Sequence, residues 1–357
     1  MSRVVRVTWH KSSPGGAATC SNDRVSSDLS SLADVLRRTD EVLEAGQRAA
    51  ARVTPSGFEL LDTYLGGGFR AGELCLLGGP QGLGKTTFAL QVLRNAVVSG
   101  ESAIYFSFEH DAPTLLERLI ALEAGEMLGV EALPLRRIRE AMEAGGPLDG
   151  DLAARLAGAP GGPQAVEAVR AYADRLHIHR SAGTSTDIAE IRRTVDQVRE
   201  ETGSAPLVAV DYLQKVFVPL GPEGEDERVT IVVEGLKDLA LDRDVPVLAV
   251  VAADKEGLVA GKRLRVHNLR GSSALAYEAD VVLVLNDKFD VVARHHLVYD
   301  VGSADRFKGW VVLSIEKNRS GLDKIDLEFR KRFEQSRFEA DGHPVSEQLV
   351  DERVYTE

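Results

Sequence analysis

Downstream of residue 54 the chain alternates between short apolar runs and longer amphipathic stretches. The runs are ELCLLGG, SAIYFSFE, LHIHRS, PLVAVDYLQ, VPVLAVVAA, ADVVLVLND, GWVVLSIEKN and KIDLEFRKRFEQSRFEA, and most have the length and continuity of strands covered on both faces. Between the first two, TTFALQVLRNAVV spaces Phe88, Leu90, Val92, Leu93 and Val97 for a helix lying on a sheet. Alternation of this kind predicts an α/β fold whose mostly parallel sheet is flanked by helices, with the last strands close enough in sequence to form an antiparallel C-terminal edge. The stretch from Asp111 to Asp174, broken by AGGPLDGD and GAPGGPQ, reads as a helical insertion, and no internal repeat is visible. Upstream, the Ser-, Gly- and Ala-rich stretch within residues 1–31 lacks periodicity and reads as a mobile tail. Leu32, Val35, Leu36, Val42 and Leu43 then recur at helical spacing, giving a linker helix within residues 32–53. Its apolar face would dock on a neighbouring subunit or fold back on its own domain. Residues 54–340 form the expected main domain and residues 341–357 a C-terminal tail.

Composition narrows the class only modestly. With 44% hydrophobic and 27% charged residues the chain is an ordinary soluble globular protein. A net charge of −12 repels phosphate on average, which disfavours indiscriminate adhesion to nucleic acid or anionic membrane but leaves room for a local basic groove. Cys20 and Cys75 are too few for a disulfide framework. No apolar run approaches the roughly 18 residues of a membrane helix, and MSRVVRVTWHKSS lacks a signal-peptide core. The expected location is the cytoplasm, without membrane contact.

The chemistry gathers around GGPQGLGKTTFAL. Gly79, four residues, then Gly84, Lys85 and Thr86 satisfy the phosphate-loop spacing G-x-x-x-x-G-K-[ST], in which glycines turn backbone N–H groups toward phosphate and the following helix adds its positive end. The nucleotide-binding set is therefore Gly79, Pro80, Gln81, Gly82, Leu83, Gly84, Lys85, Thr86 and Thr87, with Lys85 reaching the β- and γ-phosphates and the Thr86 hydroxyl completing a magnesium shell. A plain Gly-rich turn between strand and helix is the alternative. PLVAVDYLQ ends its apolar strand in Asp211, where open α/β sheets bind ligands. An acid there is common in such folds; beside a phosphate loop it reads as a magnesium ligand through water. AIYFSFEH runs into Glu109, either a carboxylate that orients or deprotonates an attacking water or a cap for the helix that follows.

Taken in order, GGPQGLGKTTFAL, YFSFEH, LVAVDYLQ, LRGSSALAYEADVVLVL and EKNRSG resemble the ATPase domain of DnaB-type replicative helicases, which belong to the RecA-like hexameric P-loop ATPases. The resemblance implies ATP and Mg2+ as cofactors, Lys85 and Thr86 as nucleotide and metal contacts, Glu109 as the catalytic carboxylate and Asp211 as the Walker B acid. It also implies that Lys317 and Arg319 reach the γ-phosphate held by the next subunit, and hence self-association into a ring, a hexamer in that family. Two cations at alternate positions of one strand share a face, and an arginine supplied in trans stabilises phosphoryl-transfer charge. A cationic strand edge that blocks aggregation is the other reading of the pair.

Three departures from that pattern stand out. Ala252 occupies the position where the family carries a γ-phosphate-sensing Gln, leaving Asp254 or Lys255 to do the coupling. The first candidate DNA loop, PLGPEGEDERV, is acidic, with Arg228 as its cation. The second, KEGLVAGKRLRVHNLRGSS, carries Lys255, Lys262, Arg263, Arg265 and Arg270, which would line a ring's pore and hold single-stranded DNA or else simply be solvated. RGSSAL also resembles plasmid RepA-type helicases, and only about fifty residues precede the matching region, too few for a helical collar. The sequence thus points to an ATP-dependent, ring-forming DNA helicase or single-strand translocase. The alternative is a regulatory or scaffolding ATPase of the KaiC kind.

Overall fold

The computed structural model describes residues 30–46, 49–144, 150–255, 257, 259, 261–271, 273–293, 295–298 and 304–352. The expected N-terminal tail therefore lies almost wholly outside the described residues, as do Cys20 and parts of AGGPLDGD and of the second candidate loop. The chain divides into two compact units, residues 1–50 and 51–357. In the first, helix α1 (Leu32–Glu44) starts at Ser31, whose side chain accepts the Asp34 N–H, and stops before Gly46, whose φ of 72° leaves helical space. The helix is shorter than the expected linker because this glycine ends it.

In the second unit, β1 (Val53–Thr54) and β2 (Phe69–Arg70) pair across helix α2 (Glu59–Tyr64). The main sheet then builds in chain order: β3 (Leu74–Gly78), helix α3 (Lys85–Val98), β4 (Ala103–Ser107), helices α4 (Ala112–Leu128), α5 (Leu135–Glu143), α6 (Leu152–Arg155) and α7 (Gly162–Tyr172), β5 (Leu176–Arg180), α8 (Ile188–Thr202), β6 (Leu207–Asp211), α9 (Glu225–Arg243), β7 (Val247–Val250), α10 (Ala274–Glu278), β8 (Val281–Asp287), β9 (Trp310–Asn318), β10 (Ile325–Arg332), β11 (Arg337–Phe338) and β12 (His343–Pro344). Across the sheet the order is β11-β10-β9-β8-β3-β7-β6-β4-β5, with β12 also on β10. From β8 to β5 every pairing is parallel, and from β8 through β9 and β10 to β11 every pairing is antiparallel. The expected parallel sheet with an antiparallel C-terminal edge is present.

Period-two alternation divides each buried strand between two cores. Cys75, Leu77, Tyr105, Leu207 and Ala209 pack with α3, α4 and α7, while Leu74, Leu76, Ile104, Phe106, Val208 and Val210 pack with α8 and α9. This division places the odd positions of β4 and β6 on the side of α3, which decides what meets at the site. The last apolar run is a hairpin rather than one strand, because Ser336 turns with a φ of 49° between β10 and β11. Residues 341–352 are likewise no free tail. His343 and Pro344 pair with β10, the buried Lys288 binds both Glu328 and Glu347, and backbone bonds join Val345 to Asp326, Gln348 to Ala293 and Val350 to Val291.

Candidate nucleotide site and basic loop

The phosphate loop joins β3 to α3 and bounds a cleft of about 540 Å3 at the carboxyl ends of the parallel strands. Gly84 is the residue before α3; its φ is 84°, and a Cβ there would lie 2.7 Å from the Phe333 ring, so both conformation and space require glycine. No side chain caps α3, which leaves its first N–H groups for an anion. Lys85 Nζ donates to the carbonyls of Gly79 at 2.7 Å and Pro80 at 3.0 Å, and burial lowers its pKa against the opposing pull of Asp211 and Glu109.

Asp211 ends β6 and is buried. Thr86 Oγ1 donates to its Oδ2 at 2.6 Å, so the expected metal pair is already in contact. The Tyr105 hydroxyl donates to the same oxygen at 2.5 Å, and burial beside Asp211 keeps that phenol protonated far above its ordinary range. Glu109 follows β4, is exposed and lines the cleft. The helix cap it was weighed against is Asp111, whose carboxylate accepts the Thr114 N–H at 3.0 Å, so α4 does not occupy Glu109. Arg118, one face of α4 further on, also lines the cleft; its Nε is buried without a partner among the described residues, and its charge adds to burial in lowering the His110 pKa. Leu135 and Phe333 supply apolar wall.

The residues present fit a magnesium–nucleotide pair: glycine-built backbone, a lysine, a hydroxyl–carboxylate contact, and the cation of Arg118 in the lining of an anion-sized cleft. Sequence reading missed Tyr105 and Arg118. The first was legible as the one phenol on the α3 side of an apolar strand, the second as an arginine on the crossover helix nine positions after Glu109.

Ala252 lies in the cleft wall as expected, but an amide stands behind it. Gln214, from DYLQ, accepts the Ala252 N–H at 3.2 Å and donates to the Arg270 carbonyl at 2.8 Å, while the Arg270 N–H bonds the Ala252 carbonyl at 2.8 Å. The end of β7 is thereby stitched to the end of the second loop.

That loop is not a uniform band of cations. Arg263 is 4% exposed and bound to Asp326 of β10 and Ser314 of β9, so it has no route to a polymer and leaves the candidate interface. Arg265 holds Glu316 at 2.8 Å and Asp351 at 2.6 Å. Arg270 pairs with Glu225 at 2.8 Å and also lines the nucleotide cleft. Lys255 and Lys262 carry no ion pair among the described residues, though the backbone of Lys262 pairs with Glu352. The strap of residues 343–352 thus ends on the loop. In the first loop, Arg228 donates to the carbonyls of Pro222 and Glu223 and holds its own turn together.

Lys317 and Arg319 stand away from this cleft. Lys317 Nζ donates to the carbonyls of Ala276, Tyr277 and Ala279 at 2.7, 3.2 and 2.6 Å, and Arg319 donates to the Tyr277 carbonyl and to Asp280. Arg319 follows β9 instead of lying on it, yet both cations converge on the end of α10. The edge-protection reading falls, because β9 is held between β8 and β10. Burial, helped by Arg319, lowers the Lys317 pKa.

A phosphate loop after a central strand, a buried acid on a second strand touching the loop hydroxyl, and a carboxylate after a third define a P-loop ATPase of the RecA-like fold. Residues 153–340 match the family described as DnaB-like helicase C terminal domain, and residues 54–125 match the ATPase family described as KaiC. The chain belongs to the DnaB-like helicase C-terminal domain family. Among its curated relatives is the replicative DNA helicase DnaB of Pasteurella multocida, 27% identical over 288 residues that make up 80% of this chain and 54% of that protein. The DnaB of Haemophilus influenzae is 25% identical over 90% of this chain and 62% of its own length, so the chain spans little more than half of these relatives. A DnaB-like replicative helicase whose structure was solved to show its interactions with primase shares the fold, with a TM-score of 0.66 at 21% identity, covering 86% of this chain and 68% of that one. Among the described residues, no helix is long and apolar enough to cross a membrane.

Proposed function

We propose that this chain is the motor of a ring-forming helicase or single-strand translocase that hydrolyses ATP with magnesium. The observation that carries the reading is the Thr86–Asp211 contact beside Lys85, with Glu109 lining the same cleft and its carboxylate without a hydrogen bond among the described residues. The α3 N–H groups and Lys85 bind and orient the phosphates, Lys85 exchanging its loop carbonyls for phosphate oxygens. Thr86 and Asp211 would hold magnesium, which when bound neutralises charge on the terminal phosphates. Glu109 orients a water and accepts its proton, and Arg118 faces the same cleft as an additional cation. Arg319, outside its own cleft, is available to a neighbour's, which supports assembly into a ring, a hexamer by likeness to the family. Single-stranded DNA would run along Lys255, Lys262 and Arg265, the last once Asp351 lets go.

The regulatory alternative draws support from that same Asp351 contact and from the acidic first loop. ATP turnover measured with and without single-stranded DNA separates the two. The motor reading expects stimulation by the strand, loss of turnover in Lys85→Ala, and retained nucleotide binding without turnover in Glu109→Gln. Turnover indifferent to DNA, with no binding at low ionic strength, would leave the regulatory reading standing.

A further inference from the structure

One fully buried polar group, the hydroxyl of Tyr105, touches the acid that ends β6. Tyr105 sits in an apolar strand, packed on the α3 side, where a phenylalanine ring would fill the same space. Its hydroxyl instead donates to Asp211 Oδ2 at 2.5 Å. The sheet imposes this meeting: Tyr105 is registered opposite Ala209, two residues before Asp211 on the neighbouring strand, and odd positions of both strands face α3. Thr86 Oγ1 shares the same acceptor at 2.6 Å, so two donors arrive on Oδ2 and none of the described donors pairs with Oδ1. A carboxylate held by two donors on one oxygen has a restricted torsion, and Asp211 lines the cleft with its other oxygen still open to a ligand.

We propose that Tyr105 is a positioning residue for metal-dependent nucleotide binding: its hydroxyl locks Asp211 so that Oδ1 faces the water shell of the bound divalent cation. The proposal rests on the reading of the cleft as a magnesium–nucleotide site. Thr86 alone cannot set the acid's orientation as firmly, because its hydroxyl oxygen is itself a metal contact in that reading, whereas Tyr105 lies behind the acid, within the core, and keeps its grip whether or not the cleft is filled. Partners of this kind orient metal-binding carboxylates, and their loss typically weakens metal affinity about tenfold or more.

The probe is Mn2+, with free metal read by electron paramagnetic resonance on the full chain saturated with ADP. Wild type should bind the metal, and Tyr105→Phe should bind it about tenfold more weakly, with metal-free ADP affinity and melting temperature close to wild type. On an Asp211→Asn background the same change should have no further effect, since the hydroxyl acts through the acid. Mn2+ affinity unchanged in Tyr105→Phe, or an equal loss on both backgrounds, overturns the proposal. Absence of any ADP-dependent Mn2+ binding by wild type instead overturns the underlying site reading. Should the Phe variant fail to fold, 3-fluorotyrosine placed at position 105 keeps the hydroxyl and supplies a 19F signal. That resonance must shift when Mg2+ is added to the ADP complex, and an unmoved one rejects the role.

Discussion

Asp351→Asn should tighten binding of single-stranded DNA. Arg265 is clasped between Glu316, whose side chain is 10% exposed, and Asp351, whose side chain is 73% exposed. A phosphate can use Arg265 by displacing the exposed partner, and the strength of that partner sets the cost. Exposed ion pairs are worth about 0.2–1 kcal/mol, so removing the charge of Asp351 should raise affinity about 1.4- to 5-fold, at about 1.4 kcal/mol per tenfold. Fluorescence anisotropy of a labelled oligothymidylate across a salt series reads both affinity and slope. Arg265→Ala should flatten the slope of log affinity against log salt by about 0.7, the value for one phosphate neutralised on a single strand. It should also erase the benefit of Asp351→Asn in the double variant. Equal affinity and slope in wild type, Asp351→Asn and Arg265→Ala would refute the assignment of this loop to DNA.

Other expectations follow from the same contacts. Arg263→Ala should leave the salt slope alone and destabilise the domain by up to about 3–5 kcal/mol in urea, since it takes the cation from Asp326 at a largely buried ion pair and leaves that acid the Ser314 hydroxyl. Rings mixed from Arg319→Ala and Glu109→Gln subunits should recover up to about a quarter of wild-type turnover, because one interface in four would pair an intact Glu109 with an intact Arg319; co-assembled rings without recovery would end the in-trans role. Burial lowers the His110 pKa in the folded chain, so the unfolded chain binds the proton first as pH drops below about 6.5. Stability is then unaffected above that pH and falls as pH descends toward the folded value. His110→Asn should remove that part of the acid-side loss in denaturation curves recorded from pH 7.5 to 5.

The sheet was legible because its strands are buried on both faces and so announce themselves as unbroken apolar runs, as in LVAVD and VVLVL. The phosphate loop was legible because a local geometry demands local spacing. The basic loop was misread for the opposite reason. Counting cations between residues 255 and 270 says nothing of their partners, and Asp351 lies 86 positions from Arg265 while Asp326 lies 63 from Arg263. Tyr105 was hidden in plain apolar context, because an aromatic ring in a strand is explained by packing until the register shows what its hydroxyl touches. Gln214 stood within a quoted motif, yet its stitching of β7 to Arg270 depends on a turn that the alternation of strands and helices does not describe.

Asp280, just ahead of β8, accepts at once from the backbone N–H that opens β3, from Lys237 of α9 and from Arg319. The strand that leads into the phosphate loop and the cation assigned to a neighbour's site therefore share one carboxylate. In a family of sequences such a joint forbids independent drift: an uncharged residue at 280 would leave two cations facing each other, and relatives that lose the acid should have changed Lys237 or Arg319 as well. Lys317, whose hydrogen bonds run to backbone carbonyls that every sequence supplies, is not tied into that joint and need not change with it.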